Sequence, residues 1–266
     1  MKITVLNGSP KGSLSATMQY VHFIQKKYPQ HELKIFHVSQ QIKRIENNEE
    51  AFQEIMDEVG SSDGVLWAFP LYYFLVASQY KRFIELIFER RVERVFKNRY
   101  AAVLTTSIHF FDHTAHNYMR AICDDLDMRV AGSFSAEMYD LLKEENRERL
   151  RLFAEAFFRA IEERIPTSKV YEPVTWKTIS YAPGLMENKV EVGGKKVLLV
   201  IDSENRRGNL IRMTEQFHKA FSRETEMINL QQVDMKGGCL GCIQCGYDHT
   251  CAYTGRTNLS IFSIKS

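Results

Sequence analysis

Over its first 164 residues the chain alternates short apolar runs with longer stretches of helical period, and nothing else in the sequence restricts the fold as much. The apolar runs are Ile3–Leu6, His31–Val38, Asp63–Phe69, Ala101–Thr106 and Arg129–Phe134. Between them the spacing predicts helices over 14–28, 41–59, 77–91 and 113–126, and a long last helix over 141–164 that Pro166 ends. Parallel strands need helical crossovers, so five such repeats predict an α/β fold: a doubly wound, five-stranded parallel sheet. With ligand loops gathered beyond the carboxyl ends of the strands, the expected order is 2-1-3-4-5. Pro70, which cannot donate to a sheet ladder, is expected to stop the third strand.

The pattern then restarts. A first domain over 1–165 gives way to a proline-bearing connector over 166–195 and a second unit over 196–266. In that unit Lys196–Ile201 repeats the opening strand, Asn209–Phe221 its helix and Glu226–Leu230 its second strand. The fifteen residues after Cys251 leave room only for a short third strand at Leu259–Phe262, so this unit is expected to be an incomplete copy.

Loops at the strand ends carry the chemistry. Asn7-Gly8-Ser9-Pro10-Lys11-Gly12-Ser13 joins the first strand to the first helix. Such a junction offers unpaired backbone N–H groups, the positive end of a helix dipole, hydroxyls from Ser9, Ser13, Ser15 and Thr17, and the charge of Lys11. It is neither a Walker loop nor the spaced Gly-x-Gly-x-x-Gly of dinucleotide folds, and a capped helix start with no ligand is the plain alternative. Phe69-Pro70-Leu71-Tyr72-Tyr73-Phe74 lies on the same sheet edge and supplies aromatic rings and bent backbone. Together the loops favour a ligand with a phosphate at one end and a planar ring at the other. In the second unit Asp202 and Glu204 stand where the first has its small-residue loop, and carboxylates repel a phosphate.

These stretches, with Ser78-Gln79-Tyr80-Lys81-Arg82-Phe83-Ile84, resemble the flavodoxin-like NADPH-dependent FMN reductase and iron-sulfur flavoprotein group over about residues 1–165. The resemblance implies FMN, its phosphate on Ser9, Lys11, Ser15, Ala16 and Thr17 and its isoalloxazine near Pro70, Leu71, Tyr72 and Tyr73. It puts the third loop, with Ser107 and His109, on the ring's other side, and His109 is expected to donate a hydrogen bond near the flavin. It further implies NAD(P)H as co-substrate, a quinone, flavin or other small molecule as electron acceptor, and a homodimer or higher homo-oligomer. One departure is that cluster-bearing members carry cysteines after the second strand, where this chain has Ser39-Gln40-Gln41.

Cysteines appear instead in the second unit, as Cys239-x2-Cys242-x2-Cys245-x5-Cys251. Thiolates so spaced suit a [4Fe-4S] cluster, tetrahedral zinc is the alternative, and an empty reduced set is the third reading. His109, Asp112, His113 and His116 form a weaker metal candidate, more simply read as a polar lid, and Cys123 reads as an ordinary buried thiol.

A net charge of +2 offers no field for nucleic acid or an anionic membrane. No apolar run approaches a membrane span and no signal-peptide pattern opens the chain, so a cytoplasmic protein is expected. Two rivals to the oxidoreductase are a flavin or iron-sulfur electron carrier without an NAD(P)H site and a non-catalytic scaffold with structural zinc.

Overall fold

The computed structural model describes residues 1–172, 184, 189–203, 208–223, 225–233, 240–248 and 251–253. The chain divides into two units, Met1–Thr175 and Trp176–Ser266.

In the first unit the elements run β1 (Lys2–Asn7), α1 (Ala16–Lys27), β2 (Glu32–Phe36), α2 (Ile42–Asn47), α3 (Glu49–Ser61), β3 (Gly64–Pro70) and α4 (Ser78–Glu89). They continue with β4 (Tyr100–Thr106), α5 (Asp112–Asp125), β5 (Arg129–Ala136) and α6 (Glu144–Glu162). All strand pairs are parallel and the order is β2-β1-β3-β4-β5, as the alternation predicts.

Strand period sorts the side chains between two cores. Leu6, Val65, Trp67, Phe69 and Val103 meet α3, α4 and α5 through residues such as Phe52, Tyr80, Phe83 and Met119. Ile3, Val5, Leu66, Ala68 and Leu104 meet α1 and α6 through Met18, Val21, Leu150 and Phe157. Covered on both faces, the sheet leaves its carboxyl edge as the place for loops.

Two local expectations need correcting. The single helix over 41–59 is two helices, because Asn48 is extended (φ −132°, ψ 110°) and its side chain accepts from Ala51 N at 3.0 Å, capping α3. Pro70 is the last residue of β3, opposite Thr106, rather than the first residue beyond it. Cys123 is fully buried as expected, and burial pushes its thiol up to about 12.

The second unit holds β6 (Leu198–Ile201) and β7 (Glu226–Asn229), paired in parallel, with α7 (Asn209–Lys219) between them. Strand, helix and parallel strand thus repeat the opening of the first unit. The strand expected at 259–262 lies outside the described residues. Among the described residues no helix is long and apolar enough to cross a membrane.

Candidate active site

The first loop is held from beneath by the end of β1. Gly8 N donates to Ala68 O at 2.8 Å, and a Cβ on Gly8 would stand 2.6 Å from the Tyr80 ring and 2.7 Å from Phe69 Cβ. Only glycine lets the backbone pass so close to the core. Asn7 reaches forward: its Oδ1 accepts from Ser9 N at 3.0 Å and its Nδ2 donates to Gly12 O at 3.1 Å. Ser9 Oγ accepts from Lys11 N at 3.2 Å. Gly12 turns the chain with φ +58°, a conformation that strains any residue with a Cβ.

Ser15 caps α1, its Oγ accepting from Met18 N at 3.3 Å. The amides of Ala16 and Thr17, which open the helix, therefore lack intrahelical acceptors and sit at the positive end of its dipole. A helix start of this kind can hold an anion mainly through its backbone. The Thr17 hydroxyl is already engaged with Thr106 Oγ1 at 2.6 Å, so Thr17 can offer its amide rather than its side chain.

The second loop leaves β3 at Pro70. Leu71 N donates to Thr106 O at 3.0 Å, and Tyr72 and Leu75 exchange backbone bonds of 2.8 and 3.1 Å that close a tight turn. Tyr73 and Phe74 at its tip have φ of 43° and 72°, and Tyr73 is 94 % exposed. In the third loop Ser107 Oγ accepts from His109 N at 2.8 Å and donates to Asp112 Oδ1 at 2.7 Å. Asp112 Oδ2 holds His109 Nδ1 at 3.0 Å and also accepts from Ser135 Oγ. Burial works to raise the Asp112 pKa, but the hydrogen bonds from Ser135, His109 and Ser107 outweigh it and hold the carboxyl below its ordinary value.

Ser9, Lys11, Ser15 and Ala16 of the first loop, Pro70 to Tyr73 of the second and Ser107 of the third line one cavity of about 660 Å³. Two expected residues stand apart from its lining. Thr17 is fully buried behind it, and His109 is drawn toward Asp112 while its neighbours Ile108 and Phe110 face the cavity. Leu14, Phe110 and Met138 join the walls without a sequence signal beyond being apolar residues in loops. Another groove, of about 530 Å³, lies by Tyr28, His31 and Phe158 at the amino edge of the sheet and includes none of the three loops.

The histidine cluster does not act as a set. His109 pairs with Asp112, whereas His116 Nε2 lies 2.9 Å from Thr105 Oγ1, and burial lowers the His116 pKa. Of the four cysteines of the second unit, Cys239 lies outside the described residues, Cys242 and Cys245 are exposed and Cys251 is partly buried. Among the described residues no three His, Cys, Asp or Glu side chains converge as metal ligands.

The sequence profile described as NADPH-dependent FMN reductase matches residues 1–139. Among solved structures, an NADH:FMN oxidoreductase in its apo form is 18 % identical with a TM-score of 0.50, covering 59 % of this chain and 87 % of its own. An FMN-dependent NADH-azoreductase from Bacillus anthracis is 14 % identical, with a TM-score of 0.43 and coverages of 60 % and 99 %. A flavoenzyme NAD(P)H:(acceptor) oxidoreductase from Paracoccus denitrificans is 16 % identical, with a TM-score of 0.43 and coverages of 61 % and 97 %. No curated protein matches the chain.

Proposed function

The chain belongs to the NADPH-dependent FMN reductase family, and from that premise we propose an FMN-dependent oxidoreductase that takes a hydride from NAD(P)H and reduces a quinone, a second flavin or another electron-poor small molecule. The observation that carries this reading is the single cavity that joins an anion-binding helix start to an aromatic loop. Its volume of about 660 Å³ suits a nucleotide-sized ligand, with a phosphate on the Ala16 amide beside Ser9, Ser15 and Lys11. The ring then has Pro70 to Tyr73 along one edge and the Ser107 loop along the other. Bound there, FMN would supply the two-electron chemistry, which the protein only positions and tunes. The chain's own contribution is to fix the phosphate end on rigid backbone, to wall the ring with apolar residues that exclude water, and to leave one side open for nicotinamide and acceptor in turn.

The mouth of the cavity is ringed by exposed apolar side chains: Leu14 at 87 %, Tyr73 at 94 %, Ile108 at 82 % and Met138 at 60 %. An apolar rim of this size around a ligand site supports a second copy of the chain as partner, one that would cover the open side. The spacing of Cys239, Cys242, Cys245 and Cys251 supports a separate metal site in the second unit, either a [4Fe-4S] cluster or zinc.

Purification without air, followed by an absorption spectrum and metal analysis, tests the flavin and metal readings. A flavin spectrum that bleaches with NAD(P)H supports the oxidoreductase. A flavin that ignores NAD(P)H points to an electron carrier, and colourless protein containing zinc points to a scaffold.

A further inference from the structure

Asn7 ends β1 with its side chain fully buried and both ends of its amide engaged. Its Oδ1 takes the N–H of Ser9 and its Nδ2 gives to the carbonyl of Gly12. A backbone N–H can only donate and a carbonyl can only accept, so these two partners settle which end of the amide is which. The remaining contact, Nδ2 to His37 Nδ1 at 2.8 Å, is then settled as well. Nδ1 must accept, the ring proton must sit on Nε2, and the ring must be neutral.

We propose that Asn7 and His37 are a positioning pair for the anion site: the neutral ring, accepting through Nδ1, steadies the carboxamide that staples Ser9 to Gly12, and protonation of the ring releases that staple. The inference rests on the FMN reading of the cavity. A protonated His37 would set an N–H against the Asn7 NH2 at 2.8 Å, two donors with no acceptor between them. Either the ring leaves or Asn7 turns, and turning leaves Ser9 N and Gly12 O without their partner. The loop that presents Ser9, Lys11 and the start of α1 then loses its internal brace.

The surroundings favour the neutral ring. Burial is the larger cause that lowers the His37 pKa, with a smaller lowering from His22 on α1; among the described residues no carboxylate is a cause of the shift, and Asn7, facing the ring from β1, is uncharged. The sign follows: anion affinity is full above the His37 pKa and falls as pH drops through it. A bound phosphate attracts an imidazolium and works the other way, so the direction of the effect discriminates the staple from simple charge attraction.

The test compares FMN dissociation constants, read from flavin fluorescence, for wild-type protein and His37→Gln. The glutamine carboxamide oxygen can accept from Asn7 at any pH. Because a phosphate monoester itself titrates near pH ~6, the readout is the difference between the two proteins. Between about pH 8 and about pH 5.5 wild-type affinity is expected to fall about fivefold more than that of the variant. Equal losses in both proteins overturn the inference and leave the function reading intact. Failure of the wild type to bind FMN at about pH 8 overturns the function reading first, and the inference with it. If the variant does not fold, an NMR titration of His37 in wild-type protein replaces it. Linkage requires FMN to lower the His37 pKa, and an unchanged or raised value overturns the inference.

Discussion

The hydroxyls of Thr17 and Thr106 lie 2.6 Å apart, which joins the first turn of α1 to the last residue of β4. Thr106 also accepts from Leu71 N through its carbonyl, at 3.0 Å, and is followed by Ser107. All three loops that line the cavity therefore meet at this one residue.

Thr106→Val is expected to cost about 1–2 kcal/mol of stability, because it leaves the buried Thr17 hydroxyl without a partner. It should also weaken FMN binding several-fold by loosening α1 against β4. The double change Thr17→Val with Thr106→Val should cost less than the sum of the two single changes. Urea unfolding and FMN titration of the three variants check this, and strict additivity would argue against the bond.

Gly8→Ala should destabilise the protein by about 1–3 kcal/mol through overpacking. The Tyr80 ring it would strike is fully buried and is pinned by its own hydroxyl, which donates to Leu6 O at 2.7 Å. A variant that melts with the wild type would show that the loop stands further from the core than described.

Glu58 sits nearly buried between Lys2 and Lys34, at 2.8 and 2.9 Å. Burial works to raise its pKa, but the two lysines prevail and hold it below the ordinary value. A depressed folded pKa gives stability that is present above the unfolded value, near pH ~4.3, and is lost as pH falls through the folded one. Glu58→Gln should lower stability at neutral pH by about 1 kcal/mol and flatten the acid limb of the stability curve. Identical acid limbs in variant and wild type would remove Glu58 from that role.

Ile108→Asp, placed on the exposed apolar rim, should shift the protein toward monomer in sedimentation analysis. Unchanged association would mean that the rim is not where copies meet.

The sheet was legible in the sequence because the strand and helix periods differ and each apolar run is followed by a helical stripe. The break at Asn48 was not, since the apolar stripe of α2 continues in register into α3. The available sign was an asparagine followed by Glu49 and Glu50, a cap ahead of an acidic first turn. That the loops after β1, β3 and β4 line one cavity follows from the strand order, which sets the carboxyl ends of these strands side by side. The role of single atoms was not legible: the Thr17 hydroxyl is taken by a residue 89 positions away, and the His109 ring is turned by Asp112. The bracing role of Asn7 was not legible either, because its contact with His37, 30 residues away, exists only once β1 and β2 pair.

The most direct test of the central claim is to titrate purified protein with FMN and then add NAD(P)H without air. Stoichiometric FMN binding, followed by bleaching of the flavin band at a rate that depends on nicotinamide concentration, is the predicted result. Protein that binds no FMN, or that binds it and leaves it oxidised in the presence of both NADH and NADPH, would contradict the assignment.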